Sequence, residues 1–90
     1  MNKSAHVYYS GAVQGVGFRF TAERMALSLG ITGWVKNLEG GRVEIVAEGS
    51  RTSLKEFLRK LNGMFKEYIK DTDVNWSEAT GEFNAFDIRF

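Results

Sequence analysis

Ile31-Thr-Gly-Trp-Val-Lys-Asn37, then Leu38-Glu-Gly-Gly41, then Arg42-Val-Glu-Ile-Val-Ala-Glu48 form the central stretch of the chain. Two runs rich in β-formers lie either side of a short turn with paired glycines, which predicts an antiparallel hairpin. Its neighbours on both sides are helical. Upstream, Phe18, Ala22, Met25, Ala26 and Leu29 recur at helical spacing, and Gly30 is placed to stop that helix. Before it, Ala5 to Ser10 carries Val7, Tyr8 and Tyr9 and reads as a first strand closed by Gly11. Downstream, Leu54, Phe57, Leu58, Leu61 and Phe65 line one helical face, with Lys55, Arg59 and Lys60 on the other. Ser53 followed by Glu56 matches a capping box, and Ser50 offers a start one turn earlier.

Beyond Gly63 the helical signal fades. Ile69 to Ser77 reads as a strand with Val74 and Trp76 on one face, and Phe86 to Phe90 alternates apolar and polar residues as a short last strand. The order β-α-β-β-α-β-β predicts an α+β fold, with two helices on one face of a mostly antiparallel sheet. That is the split βαβ, or ferredoxin-like, sandwich. The fold hosts many activities, so function has to come from the site.

Ninety residues predict one domain, residues 1–90, with a core just large enough to fold unaided. Twelve basic against eleven acidic residues give a net charge of +1. That balance supplies no overall drive toward nucleic acid or an anionic membrane. The absence of cysteine excludes disulfides, thiolate nucleophiles and Cys-based metal sites. Met1-Asn-Lys-Ser-Ala-His-Val7 lacks the apolar core of a signal peptide, and no run approaches the roughly 18 apolar residues of a membrane span. A cytoplasmic monomer is the expectation.

Chemistry concentrates in Gly11-Ala-Val-Gln-Gly-Val-Gly-Phe-Arg19, where the first strand hands over to the first helix. Glycine permits backbone angles that aim several N–H groups at one point. The helix start adds unpaired N–H groups and partial positive charge. Arginine adds a planar fork of donors suited to a tetrahedral oxyanion. The unit reads as a phosphate cradle.

Taken with Gly33-Trp-Val-Lys-Asn37, Gly41-x-Val43 and Gly49, this segment resembles the acylphosphatase family. Both motifs match at the expected separation, and length and element order agree over essentially the whole chain. The resemblance implies a five-stranded ferredoxin-like sheet and hydrolysis of carboxyl-phosphate anhydrides without metal or other cofactor. It places the family's phosphate-binding arginine on Arg19 and its water-positioning asparagine on Asn37. The cradle falls on Gln14, Gly15, Val16, Gly17 and Phe18, acting through their backbone N–H groups. A small acyl phosphate is the implied partner, and inorganic phosphate is expected as product and competitive inhibitor. Three positions depart from the usual pattern: Tyr9 replaces an aliphatic residue, Ala22 a frequent threonine (Thr21 lies one place earlier), and Leu38 a hydroxyl residue of some relatives.

Residue chemistry points the same way. Neither motif offers Cys, His, Asp or Ser in an activated arrangement. An alkyl phosphate would need its alkoxide protonated. An acyl phosphate expels a carboxylate whose conjugate acid has a pKa of about 4, so no general acid is required. Catalysis then reduces to holding the phosphoryl group, stabilising its charge and aligning one water. A neutral carboxamide is too weak a base to take the proton, so Asn37 would position and not deprotonate.

Plainer readings exist for each residue. The glycine run taken alone is a tight turn, Arg19 alone a surface ion-pair partner, and Asn37 alone the start of the Glu39-Gly-Gly turn. Yet a cation is disfavoured at a helix start unless an anion joins it. His6, the only histidine, reads as structural, and Trp34, Trp76 and the phenylalanines as core or half-buried sheet residues. An RNA-binding module is the rival, because Gly15-Val-Gly-Phe-Arg-Phe20 superficially matches a Gly/aromatic RNA signature. That stretch precedes a helix, however, and the third strand carries no aromatic for stacking. A dinucleotide site from Gly15-x-Gly17 lacks a parallel sheet and a ribose-binding acid.

Overall fold

The computed structural model describes residues 1–90. Strands β1 (Asn2–Gly11), β2 (Thr32–Asn37), β3 (Val43–Ser50), β4 (Ile69–Glu78) and β5 (Phe86–Arg89) form one sheet in the order β4-β1-β3-β2-β5. Helices α1 (Phe18–Ser28) and α2 (Arg51–Met64) connect β1 to β2 and β3 to β4. The predicted hairpin is present, with Gly33 opposite Ala47 and Asn37 opposite Val43, and its turn holds a short 3-10 segment, Glu39–Gly41. β3 lies between β1 and β2, and β1 lies between β3 and β4, so two split βαβ units interlock. All neighbours are antiparallel except β2 and β5. The α+β ferredoxin-like expectation is borne out.

Alternation along the strands sets the two faces. Ala5, Val7 and Tyr9 of β1 and Val43, Ile45 and Ala47 of β3 are fully buried beneath the helices. Phe18, Ala22 and Ala26 of α1 and Leu54, Phe57, Leu58 and Leu61 of α2 meet them from above. Phe18 is the hinge of an aromatic row, its ring 5.0 Å from Tyr9 and 4.7 Å from Phe65. On the helix-free face, His6 Nε2 meets Glu44 at 2.6 Å, while the Arg42 and Arg89 guanidinium groups lie over Tyr8 and Trp34. His6 therefore has a structural partner, as its isolation in the sequence suggests.

Three details differ from the sequence reading. The N-cap of α2 is Ser50, whose Oγ accepts from the Ser53 backbone N–H at 3.1 Å. Glu56 does not fold back on Ser53; its carboxylate pairs with Arg59 instead. β1 starts at Asn2 and β4 runs to Glu78, because pairing with β3 and with each other extends both beyond their apolar runs. Finally, not every large aromatic is core: Phe20, Trp76 and Phe90 are exposed. The α1 stop falls where Gly30 predicted it, with Ile31 N–H bonding Ala26 O at 2.9 Å and Gly30 N–H bonding Leu27 O at 3.3 Å, a Schellman closure. No helix is long and apolar enough to cross a membrane.

Candidate active site

The chain leaves β1 through a bulge between Ser10 and Gly11, fixed by Ala12 N–H to Tyr68 O at 2.8 Å. It then loops past Val13, which is fully buried, and enters α1 through Gly17. Gly15 and Gly17 have φ of +78° and +82°, angles that side-chain-bearing residues rarely adopt. A Cβ at either would meet nothing within 4 Å. Conformation, not crowding, is what calls for glycine there. The two left-handed residues turn the loop so that none of the backbone N–H groups from Gly15 through Phe20 finds an intramolecular acceptor. The first bond of the helix is Thr21 N–H to Gly17 O, 3.0 Å. Gly17 offers no side-chain cap, and the first turn holds no acidic residue. A set of unpaired donors with positive partial charge is left at the start of α1.

Asn37 ends β2 and reaches the same place from the other side. Gln14 joins the two segments: its Nε2 donates to Leu38 O at 2.8 Å and to Arg42 O at 2.9 Å, tying the loop to the β2–β3 turn. Between them is a cavity of about 180 Å³. Gly15, Gly17, Phe18, Arg19 and Asn37 line it, together with Val13, Phe20, Ile88 and Phe90. Of the residues expected at the site, those first five share the cavity. Gln14 and Val16 do not line it: Gln14 braces the loop, and Val16 packs against the core.

The electrostatics are simple. Arg19 carries the one charged side chain in the wall, it makes none of the molecule's side-chain ion pairs, and its guanidinium carbon lies 5.0 Å from the centre of the Phe90 ring. No carboxylate, imidazole, hydroxyl or thiol side chain lines the cavity. Asn37 Oδ1 is buried and has no hydrogen-bond donor. Buried acceptors are normally satisfied, so this oxygen calls for a donor. The site thus combines backbone N–H groups without partners, one guanidinium and one unpaired amide oxygen.

Phe20, Ile88 and Phe90 were not among the residues expected at the site. β5 reaches the cavity only because it pairs in parallel with β2, Ile88 opposite Val35, which sets the strand end beside Asn37. The Phe86-x-Ile88-x-Phe90 alternation shows a strand, but it does not show which edge the strand joins.

Comparison with known proteins bears on the family. The acylphosphatase family profile matches residues 5–88. An acylphosphatase of Roseiflexus sp. (strain RS-1) is 44% identical over 85 residues, covering 93% of this chain and 91% of that protein. The crystal structure of acylphosphatase from Bacillus subtilis superposes with a TM-score of 0.89 at 31% identity, over 98% of this chain and 99% of that one. An acylphosphatase structure from Coxiella burnetii gives 0.77 at 38% identity, over 98% and 93% of the two chains. Matched in sequence and in backbone across nearly its whole length, the chain belongs to the acylphosphatase family, enzymes that hydrolyse acyl phosphates.

Proposed function

We propose that this cavity hydrolyses small acyl phosphates by direct attack of a water on phosphorus, with Asn37 aiming the water. The phosphoryl oxygens sit among the loop N–H groups and the Arg19 guanidinium. The water oxygen bonds to phosphorus in line with the acyl oxygen, and the P–O bond to that oxygen breaks. The carboxylate leaves with the bonding electron pair, and the water's proton ends on a phosphate oxygen. No general acid is needed for a leaving group with a conjugate-acid pKa of about 4. Charge-assisted hydrogen bonds that tighten as the transition state forms supply the acceleration.

The observation that carries this reading is the unpaired, buried Oδ1 of Asn37, a residue that lines the same cavity as Arg19. A water donating to that oxygen is held next to the phosphoryl site without being deprotonated by it. The test is hydrolysis of a simple acyl phosphate in the presence of EDTA. Arg19→Gln and Asn37→Ala should each lower kcat/KM by about 10²–10³-fold, the usual effect of removing one preorganised transition-state contact. Inorganic phosphate should inhibit the parent protein competitively. A requirement for metal, or full activity in both variants, overturns the mechanism.

A further inference from the structure

Few hydrogen bonds hold the glycine loop in place. Ala12 N–H bonds Tyr68 O and Thr21 N–H bonds Gly17 O, and no backbone N–H between those two residues finds an acceptor. The Gln14 side chain makes the only other hydrogen bonds of this stretch, to Leu38 O at 2.8 Å and Arg42 O at 2.9 Å. Both acceptors are carbonyls, so the amide can face them only through its nitrogen, one hydrogen to each. On the opposite side, Asn37 is the last residue of β2 to pair with β3, opposite Val43. β5 stops one residue short of it, at the pair of Lys36 with Arg89. Glu39 and Gly40 in the turn that follows are exposed. That turn is closed by Leu38 N–H to Arg42 O at 2.8 Å, and the same two residues receive the Gln14 amide.

We infer that Gln14 is a positioning residue for hydrolysis, whose side chain clamps the turn after Asn37 to the glycine loop and so sets where Asn37 stands relative to a phosphoryl group held at Arg19. The inference rests on Asn37 aiming the water in the reaction proposed above. Gln14 does not line the cavity, so its side chain acts on the reaction only through what it holds. The phosphoryl site is built within one segment: the left-handed Gly15 and Gly17 shape its backbone, and Arg19 stands in the first turn of α1. Asn37 belongs to a different segment, and the clamp is the only hydrogen-bonded link between the two. In-line attack needs the water, phosphorus and leaving oxygen aligned, and a displacement of about 1 Å costs on the order of 10²-fold in rate. A tie one residue beyond Asn37 opposes such a displacement. Removing it is a loss of alignment, read in kcat, with phosphate affinity spared.

The test is a double-mutant cycle between Gln14→Met and Asn37→Ala, with kcat measured on a simple acyl phosphate and inorganic phosphate as inhibitor. Methionine keeps an unbranched side chain of similar length and offers no N–H donor. Gln14→Met should lower kcat by about 10- to 100-fold. The inhibition constant for phosphate should stay within about threefold of the parent value. In the Asn37→Ala background the same replacement should lower kcat by less than about twofold, because the residue it positions is already gone. A smaller folded fraction or a general loosening would instead multiply with the Asn37→Ala loss. Gln14→Glu is the second probe, and it decides alone should the methionine variant not fold. Its carboxyl has one O–H donor when protonated and none when ionised, so kcat relative to the parent should rise as pH falls through the carboxyl range. Parent-like kcat in Gln14→Met, phosphate affinity falling in step with kcat, full multiplication in the cycle, or a pH-independent ratio for Gln14→Glu each overturn the positioning role and leave the hydrolytic reading standing. Full activity of Asn37→Ala removes the water-aiming reading and this inference with it.

Discussion

Tyr9 and Asn37 each bury a polar atom without a partner, yet the two atoms have opposite consequences. Asn37 lines a cavity, and its oxygen lies at that margin of the core. The Tyr9 hydroxyl lies in the core beside Phe18, where burial pushes its pKa well above the ordinary tyrosine value. A buried hydroxyl without a hydrogen bond costs roughly 1–3 kcal/mol in lost hydration. Tyr9→Phe keeps the ring and its contacts and removes that cost, so it should stabilise the protein by about 1 kcal/mol, read as a higher urea midpoint at unchanged slope. A loss of stability would mean the hydroxyl has a partner. Residues of this kind mark the limit of sequence reading. Arg19 stands out because a glycine loop and a helix start flank it, whereas Asn37 stands out only through the family motif it completes. Whether the Tyr9 hydroxyl finds an acceptor depends on α1 and α2 packing above it, which no local pattern encodes.

At the scale of elements, patterns of two and three-to-four residues located every strand and both helices, since those periods are imposed by burial on one face. Ends were less legible. The Ser53-x-x-Glu56 pattern competes with Ser50, and the competition is decided by β3. That strand stays paired with β1 to Ser50, so the helix starts at Arg51 with Ser50 as its cap. The Ser50 hydroxyl accepts from Ser53 N–H and donates to Ser53 Oγ at 2.9 Å. Ser50→Ala should therefore cost about 1 kcal/mol, the usual worth of an N-cap. Ser53→Ala keeps the capping acceptor and should cost less than half as much. Paired chemical denaturation of the two variants decides which serine caps the helix; a larger loss at Ser53 would return the cap to that residue.

The molecule as a whole has a problem that its sequence hides. β4 and β5 are opposite edges of the sheet, so residues 79–85 must carry the chain across the ends of β1, β3 and β2. Glu48 on β3 holds that crossing. Only 4% exposed, it accepts from the backbone N–H groups of Thr80 and Gly81 at 3.0–3.1 Å and from Thr80 Oγ1 at 3.0 Å. In the sequence, nothing links Glu48 to a threonine in a later turn; only the strand order brings them together. Burial alone would raise the Glu48 pKa, but the Thr80 and Gly81 N–H donors, with the Thr80 and Ser4 hydroxyls, outweigh it and hold the carboxyl below the ordinary glutamate value. A folded-state pKa that is depressed gives stability that is fully present above the unfolded value of about 4.3 and is lost as pH falls through the folded value. The unfolded chain then takes up the proton first, and acid favours unfolding. Glu48→Gln keeps one acceptor oxygen and removes the charge, so at pH 7 it should cost about 2 kcal/mol, the scale of hydrogen bonds to an ionised group. The gap between parent and variant should stay constant above about pH 5 and narrow steadily below it. Denaturation midpoints of both proteins between neutral and acid pH measure this directly. A gap that stays constant into acid would mean that another group, not Glu48, holds the crossing in place.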